Sequence, residues 1–324
     1  MSVLVFAETW DGKFKKPSFE ATTYAFELAQ KTGGTVTAVI LGNIAEDELK
    51  KLGEYGCTKI LHINNDKLSS FSASAYTIAV AEAATKADAK YIVFSYTYSG
   101  KSIAPRLAAK LKAGLVANAT TLPGSAEPFV IKKKCFSGKG ITDVQVSAAI
   151  KIIGLSPNSH HIVPNAATAA IEVFAPNIPD NAFDTKVNEV KKTSGKIVLT
   201  EAELVVSAGR GMKGPENWGM IEALADALGA ATACSKPVAD MNWRPHHEHV
   251  GQTGITISPD LYIAIGISGA IQHLAGISSS KVIVAINSDK EAPFFKIADY
   301  GIVGDAFQVV PKLTEAVKQL KSSH

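Results

Sequence analysis

Residues 2–42 read SVLVFAETWDGKFKKPSFEATTYAFELAQKTGGTVTAVILG. SVLVFAE (2–8) is a short apolar strand. PSFEATTYAFELAQKTGG (17–34) carries its apolar residues at helical spacing, with Pro17 and Ser18 at its start and Gly33-Gly34 at its end. TVTAVILG (35–42) is the next strand. Strand, amphipathic helix, strand is the unit from which parallel sheets covered by helices on both faces are built.

The alternation continues: helix AEDELKKLG, strand KILHIN (59–64), helix SASAYTIAVAEAATKA, strand YIVFSYT (91–97), helix SIAPRLAAKLKAG. After about residue 115 it gives way to strands and turns, FVIKKKCFSGKGITDVQVSAAIKIIGL and TAAIEVFAP, which finish the same domain. Residues 176–197 are rich in Pro, Asn, Asp and Lys and poor in apolar side chains, the composition of a linker. A second alternation follows: strand AELVVSAG (202–209), helix ENWGMIEALADALG (216–229), strand LYIAIG (261–266), a short helix opened by GAIQHLAG, strands KVIVAIN (281–287) and YGIVGD (300–305), and helix PKLTEAVKQLK (311–321). The expectation is an α/β protein of two doubly wound parallel-sheet (Rossmann-like) domains, 1–184 and 198–324, joined by a linker at 185–197.

Composition narrows the function classes. The 33 basic and 30 acidic residues leave a net charge of +3, which gives no electrostatic footprint for nucleic acid or an anionic membrane. Cys57, Cys135 and Cys234 are scattered and contain no CxxC, which suits a reducing compartment. The apolar start is too short for a signal sequence and lacks the Arg-rich character of a transit peptide. No apolar run reaches the roughly 18–20 residues that a membrane-spanning helix needs. A cytoplasmic protein is expected.

Ligands of open parallel sheets bind at the carboxyl ends of strands, where the strand order reverses. In the second alternation VVSAGRGMKGPENW (205–218) places Gly209, Gly211 and Gly214 where tight turns are needed and offers Arg210 to a phosphate. A plain turn with a solvated Arg explains the same residues. Ser268 and Gly269 precede a helix whose first amides are free. Asn287 and Asp305 stand at strand tips, where turn and cap residues are also usual. The long polar stretch 234–260 holds Gln252 and Thr253, and long loops inside compact domains are usually functional. Its HHEH (246–249) invites a metal reading, but the flanking Pro245 and Gly251 disfavour a helix that would align ligands, and a solvated or interface loop is the better account. His160-His161 reads as a surface turn. There is no GxSxG or HExxH, and GKG (138–140) is not a phosphate-binding GxxxxGK[ST] loop.

Taken together, GQTGITISPDLYIAIGISGAIQHLAGI, KVIVAIN, EAPFFKIADYGIVGD and VVPKL closely resemble the α subunit of electron transfer flavoproteins. VVSAGRGMKGPENW resembles that family's first FAD-binding turn, and VLVFAE and SGKSIAPRLAAKL suit its first domain. The resemblance spans nearly the whole chain. It implies a heterodimer with a β subunit and FAD held mainly by the second domain. By the family pattern Arg210, Ser235, Lys236, Val250, Gly251, Gln252, Thr253, Ser268, Gly269, Ala270, Ile271, Gln272, His273, Asn287 and Asp305 line the cofactor. It further implies His273 aimed at the N1–C2=O edge of the flavin, where one-electron reduction places negative charge. Thr253 would lie near N5 or O4, Gln252 near the ribityl chain or ring, Ser268–Ile271 on the pyrophosphate, and Asn287 and Asp305 on the adenosine. Many members carry Arg beside the Ser of the 235–236 pair; Lys236 here keeps the charge but loses the planar donor fork.

The expected function is an electron carrier, not an enzyme, taking electrons from flavin-dependent dehydrogenases and passing them towards a quinone reductase or other acceptor. The alternatives are an NADH-dependent electron-bifurcating complex, which needs a second flavin, and a nucleotide-binding regulatory module without redox work.

Overall fold

A computed structural model describes residues 2–136, 140–183, 185, 187–189 and 197–322. Residues 190–196 of the expected linker, and Gly138 and Lys139 of the GKG turn, lie outside the described residues. The chain divides into two compact units, Met1–Lys134 with Ile141–Lys192 and Thr193–His324 with Cys135–Gly140.

The first unit is built from β1 (Ser2–Phe6), β2 (Thr9–Trp10), β3 (Lys13–Phe14), α1 (Lys16–Thr32), β4 (Thr35–Leu41), α2 (Glu46–Lys50), β5 (Lys59–Ile63), α3 (Ala73–Lys86), β6 (Ala89–Ser95), α4 (Tyr98–Leu111), β7 (Gly114–Ala119), β8 (Val130–Cys135), β9 (Gly140–Gln145), β10 (Lys151–Leu155) and β11 (Ala170–Val173). Nine strands form one sheet in the order β11-β5-β4-β1-β6-β10-β7-β8-β9. From β11 to β7 every pairing is parallel; β8 meets β7 antiparallel. Side-chain alternation explains the two layers of helix. Val3 and Val5 pack with Tyr24 and Leu28 of α1, while Leu4 and Phe6 pack with Ala79 and Ala83 of α3 and Ile103 and Leu107 of α4. α1 ends where Gly33 takes a left-handed conformation (φ 69°) and the Gly34 amide donates to the Ala29 carbonyl. A small hairpin, β2–β3, turns through Asp11-Gly12, both at positive φ, a turn chemistry the sequence reading passed over.

The turn after β10 is held from below. Glu20 of α1 is buried, and its carboxylate accepts from the backbone amides of Asn158 (3.1 Å), Ser159 (2.8 Å) and His160 (2.8 Å). His160 therefore departs from the expected surface turn: its ring packs edge-on against Tyr24 and lies 3.3 Å from Glu27. Burial outweighs the three amide donors and pushes the Glu20 carboxyl above its ordinary range.

The second unit has β12 (Leu204–Ala208), α5 (Gly219–Leu228), β13 (Ala231–Cys234), α6 (Lys236–Asp240), β14 (Leu261–Ile265), α7 (Ile271–Ile277), β15 (Val282–Asn287), β16 (Tyr300–Val303) and α8 (Ala306–Ser322). Its five strands are all parallel, in the order β13-β12-β14-β15-β16. Val206, Ile263 and Ile286 face α5 and α8; Val205, Tyr262 and Ala264 face the layer containing Ile277 and Phe294. The chain leaves β12 to one side for β13 and returns past it to β14. The strand order thus reverses between β12 and β14, the place where ligands of open parallel sheets bind.

Candidate functional site

At that reversal two backbones touch. The Gly209 amide donates to the Ile265 carbonyl (2.9 Å) and the Gly211 amide to the Gly266 carbonyl (3.1 Å). Gly266 sits at φ 58°, and a Cβ there would lie 2.9 Å from the Gly211 Cα. Glycine is required on both loops for them to meet. Arg210, exposed between the two glycines of its turn, stands on this junction.

The stretch 234–260, read from sequence as one long loop, is tied down along its length and contains α6. Ser235 is buried and precedes α6; its amide donates to the Ala208 carbonyl. Lys236 is exposed and pairs with Asp240 at 3.0 Å. Arg244 makes two 2.7 Å bonds to the buried Glu248 and one of 2.9 Å to Glu222, and lies over the Trp218 ring. The bond to Glu248, above all, raises the guanidinium further. Glu248 therefore serves an ion pair, and the described residues contain no cluster of three or more His, Cys, Asp or Glu able to hold a metal. The Val250 amide then donates to the Cys234 carbonyl, and Gly251–Gly254 makes a turn closed by the Gly254 amide on the Gly251 carbonyl. Gln252 and Thr253 occupy the exposed tip. The Gln252 amide reaches the Gln272 carbonyl (2.7 Å), and Ile257 reaches Gly276 (2.9 Å).

Beyond β14, Ser268, Ala270, Ile271 and Gln272 are exposed. Gly269 sits at φ 92°, and a Cβ there would press on Phe294, whose amide donates to the Ser268 carbonyl at 3.1 Å. Asn287, ending β15, donates through Nδ2 to the Ile267 carbonyl (3.0 Å) and accepts from the Asp289 amide. Asp305 accepts from the Phe307 amide at the start of α8. Both strand-tip residues thus hold local structure, as turn and cap residues do.

His273 parts company with Gln272. Its ring turns inward: Nε2 lies 2.8 Å from the Tyr262 hydroxyl, and Phe294 packs beside it. Burial, aided by the nearby His249 ring, pushes its pKa down to about 4, so the imidazole is neutral. Nδ1 is sealed from solvent and has no hydrogen-bond partner. The family pattern sets both Gln272 and His273 on the cofactor lining. The seven-residue helix separates them, because His273 shares its inner face with Gly276 and Ile277, and that spacing was the available signal. Tyr262 carried no signal in the sequence, and His249, with Glu248, departs from the expected solvated loop by being buried. Desolvation, with Lys236 adding to it, lowers the His249 pKa.

The residues expected to line a ligand thus fall at the end of β15 or on the loops and helix starts that follow β12, β13, β14 and β16, all at the carboxyl edge of one parallel sheet. The comparisons with known proteins converge on the same chain. The family model for an electron transfer flavoprotein domain matches residues 3–179, and that for an electron transfer flavoprotein FAD-binding domain matches residues 198–278. Electron transfer flavoprotein subunit alpha of Bacillus subtilis is 37% identical over 98% of this chain and 98% of its own. That of Mycobacterium tuberculosis is 38% identical over 98% of this chain and 99% of its own. Protein FixB of Clostridium saccharobutylicum is 34% identical over 99% and 97%. The chain belongs to the electron transfer flavoprotein α-subunit family, with FAD as its cofactor, electron transfer as its role, and a β subunit implied as its partner.

Proposed function

We propose that this α subunit is an electron carrier without a bound organic substrate, working in the cytoplasm. In this reading it takes electrons from flavin-dependent dehydrogenases through the β subunit and passes them to a quinone reductase or similar acceptor. The second unit is its Rossmann-like FAD-binding domain. The observation that carries the reading is that the segments following all five parallel strands leave one sheet edge, with the Gly209–Gly211–Gly266 junction at its strand-order reversal.

Two features fit FAD in particular. The glycine contacts bring the loops after β12 and β14 together backbone to backbone at the strand-order reversal, where Arg210 is exposed to meet a pyrophosphate, and the buried His273 Nδ1 lacks a hydrogen-bond partner. When bound, the flavin supplies electron acceptance and release. The chain's own residues supply binding and charge. Arg210 and the Ser268–Ile271 backbone take the pyrophosphate. Gln252 and Thr253, on their turn, face the ribityl chain and ring, with Gly251, Val250 and Ser235 supporting that turn from the backbone. Lys236 offers positive charge at the rim. Gln272 and Asn287 border the adenosine half, and Asp305 accepts from a ribose hydroxyl through its carboxylate.

The test is to purify the chain with its β subunit, quantify bound flavin and reduce it stepwise. One flavin per complex, inert to NADH, and lost at least tenfold more readily in Arg210→Ala supports the reading, since a charge-assisted hydrogen bond contributes about 1.5–3 kcal/mol. Two flavins reduced by NADH would replace the carrier with a bifurcating complex. Flavin retained equally by Arg210→Ala and Asp305→Ala would overturn the residue assignment.

A further inference from the structure

We infer that Asn287 is a positioning residue for the pyrophosphate: its Nδ2 holds the Ile267 carbonyl and so sets the direction of the Ser268 amide, which donates to a phosphate. The inference deepens the reading of the loop after β14 as part of an FAD site and rests on it.

That loop is pinned through four successive carbonyls. Ile265 accepts from the Gly209 amide (2.9 Å), Gly266 from the Gly211 amide (3.1 Å), Ile267 from Asn287 Nδ2 (3.0 Å) and Ser268 from the Phe294 amide (3.1 Å). Three of these donors are main-chain groups, and Asn287 supplies the one that belongs to a side chain. Across a trans peptide the carbonyl of one residue and the N–H of the next point in opposite directions. The Ile267–Ser268 and Ser268–Gly269 peptides are trans. Holding the Ile267 carbonyl therefore fixes the Ser268 N–H on the far side of that peptide, and holding the Ser268 carbonyl does the same for Gly269. Neither amide has an acceptor among the described residues, and Ser268 is exposed. Successive main-chain N–H groups left open in this way suit an anion.

The orientation of the Asn287 side chain follows from its neighbours. Its main-chain carbonyl accepts from the Gly304 amide (3.0 Å), which fixes the end of β15. Its Oδ1 accepts from the Asp289 amide (3.0 Å). A main-chain N–H only donates and a carbonyl only accepts, so the oxygen must face Asp289 and the nitrogen Ile267. The segment beyond is braced in turn. Asp289 accepts from the Glu291 amide through Oδ1 (3.0 Å) and from the Ala292 amide through its carbonyl (3.1 Å), ahead of the Phe294 amide that meets Ser268. The end of β15 and the segment after it thus supply both donors, one to each of the adjoining carbonyls.

The test is phosphorus-31 NMR of FAD bound to the αβ complex, with occupancy read from the visible spectrum. In Asn287→Ala, at full occupancy, at least one of the two phosphorus resonances is expected to move, and the Kd for FAD to rise about tenfold, the weight of one hydrogen bond. Weaker FAD binding with both resonances unmoved would make Asn287 a contact of the adenosine and overturn the inference, as would unaltered binding. Amide exchange in the wild type is independent of how the variant folds. The Ser268 amide is expected to exchange more slowly in the FAD-loaded complex than in the flavin-free one, and equal rates would overturn the inference. A wild-type complex that takes up no FAD would reject the FAD reading itself, whereas the other adverse outcomes reject only the role of Asn287.

Discussion

A Cβ placed on Gly276 would lie 2.5 Å from the Gly251 nitrogen and 2.6 Å from its Cα, so α7 and the Gly251–Gly254 turn meet backbone to backbone. Gly276→Ala must push the turn outward. Overpacking of this kind costs about 1–3 kcal/mol, and the displaced turn carries Gln252 and Thr253. The expected outcome is a lower urea midpoint together with weaker flavin retention by the αβ complex. A variant with unaltered stability and retention would show that the turn is free to move.

Arg244 and Glu248 form the ion pair that anchors the stretch leading to Val250, with side chains 13% and 5% exposed. Removing one partner of a buried pair strands the other charge. Arg244→Met is expected to destabilise the second unit by about 3 kcal/mol, and the double variant Arg244→Met/Glu248→Leu to recover much of the loss. Denaturant titrations of the two variants decide it.

His273 gives a pH dependence with a definite sign. Its folded value of about 4 lies below the ordinary 6.5, so between these values the unfolded chain binds more protons. The stabilisation is fully present above about pH 6.5 and is lost as pH falls towards 4, amounting to about 2 kcal/mol by pH 5. Unfolding measured at pH 7 and pH 5 should show this loss in the wild type and a smaller one in His273→Gln. Equal losses would assign the dependence to other groups.

Glu20→Gln keeps the size of the side chain but turns an NH2 group towards one of three amides that the carboxylate accepts from. An unmade buried hydrogen bond costs about 1–3 kcal/mol. Faster hydrogen exchange at Asn158, Ser159 and His160, alongside reduced stability, is expected.

Lys236 and Asp240 are both exposed, at 57% and 49%, and such pairs contribute at most about 0.5 kcal/mol. Lys236→Ala should therefore leave the melting temperature within a degree or two while lowering the flavin reduction potential, because a positive charge leaves the rim. Lys236→Arg should restore the potential. Equal potentials in all three proteins would remove Lys236 from the redox argument.

The helices and strands of both units were legible because their signals are local. Gly33 after Thr32 and the Val-Ile-Leu runs of β1, β4 and β15 need only their neighbours to be read. The insertion of β10 between β6 and β7, and the return of β11 to β5, have no local mark, since long-range pairing sets strand order. The strand tips could be placed from the alternation alone, and the assignment of their residues to a ligand comes from the family pattern. The inward turn of His273 could not be read this way, because it depends on Tyr262, a residue indistinguishable in LYIAIG from any other apolar strand position.

The loop that carries Gln252 and Thr253 is tied by main-chain hydrogen bonds to β13 at Val250 and to α7 at Gln252 and Ile257. Backbone ties of this sort do not rearrange when charge arrives nearby. An electron arriving at a group held there meets dipoles already in place, so the reorganisation energy of the transfer stays small. With the flavin at the proposed rim, the same ties that close the fold would favour fast electron exchange in both directions.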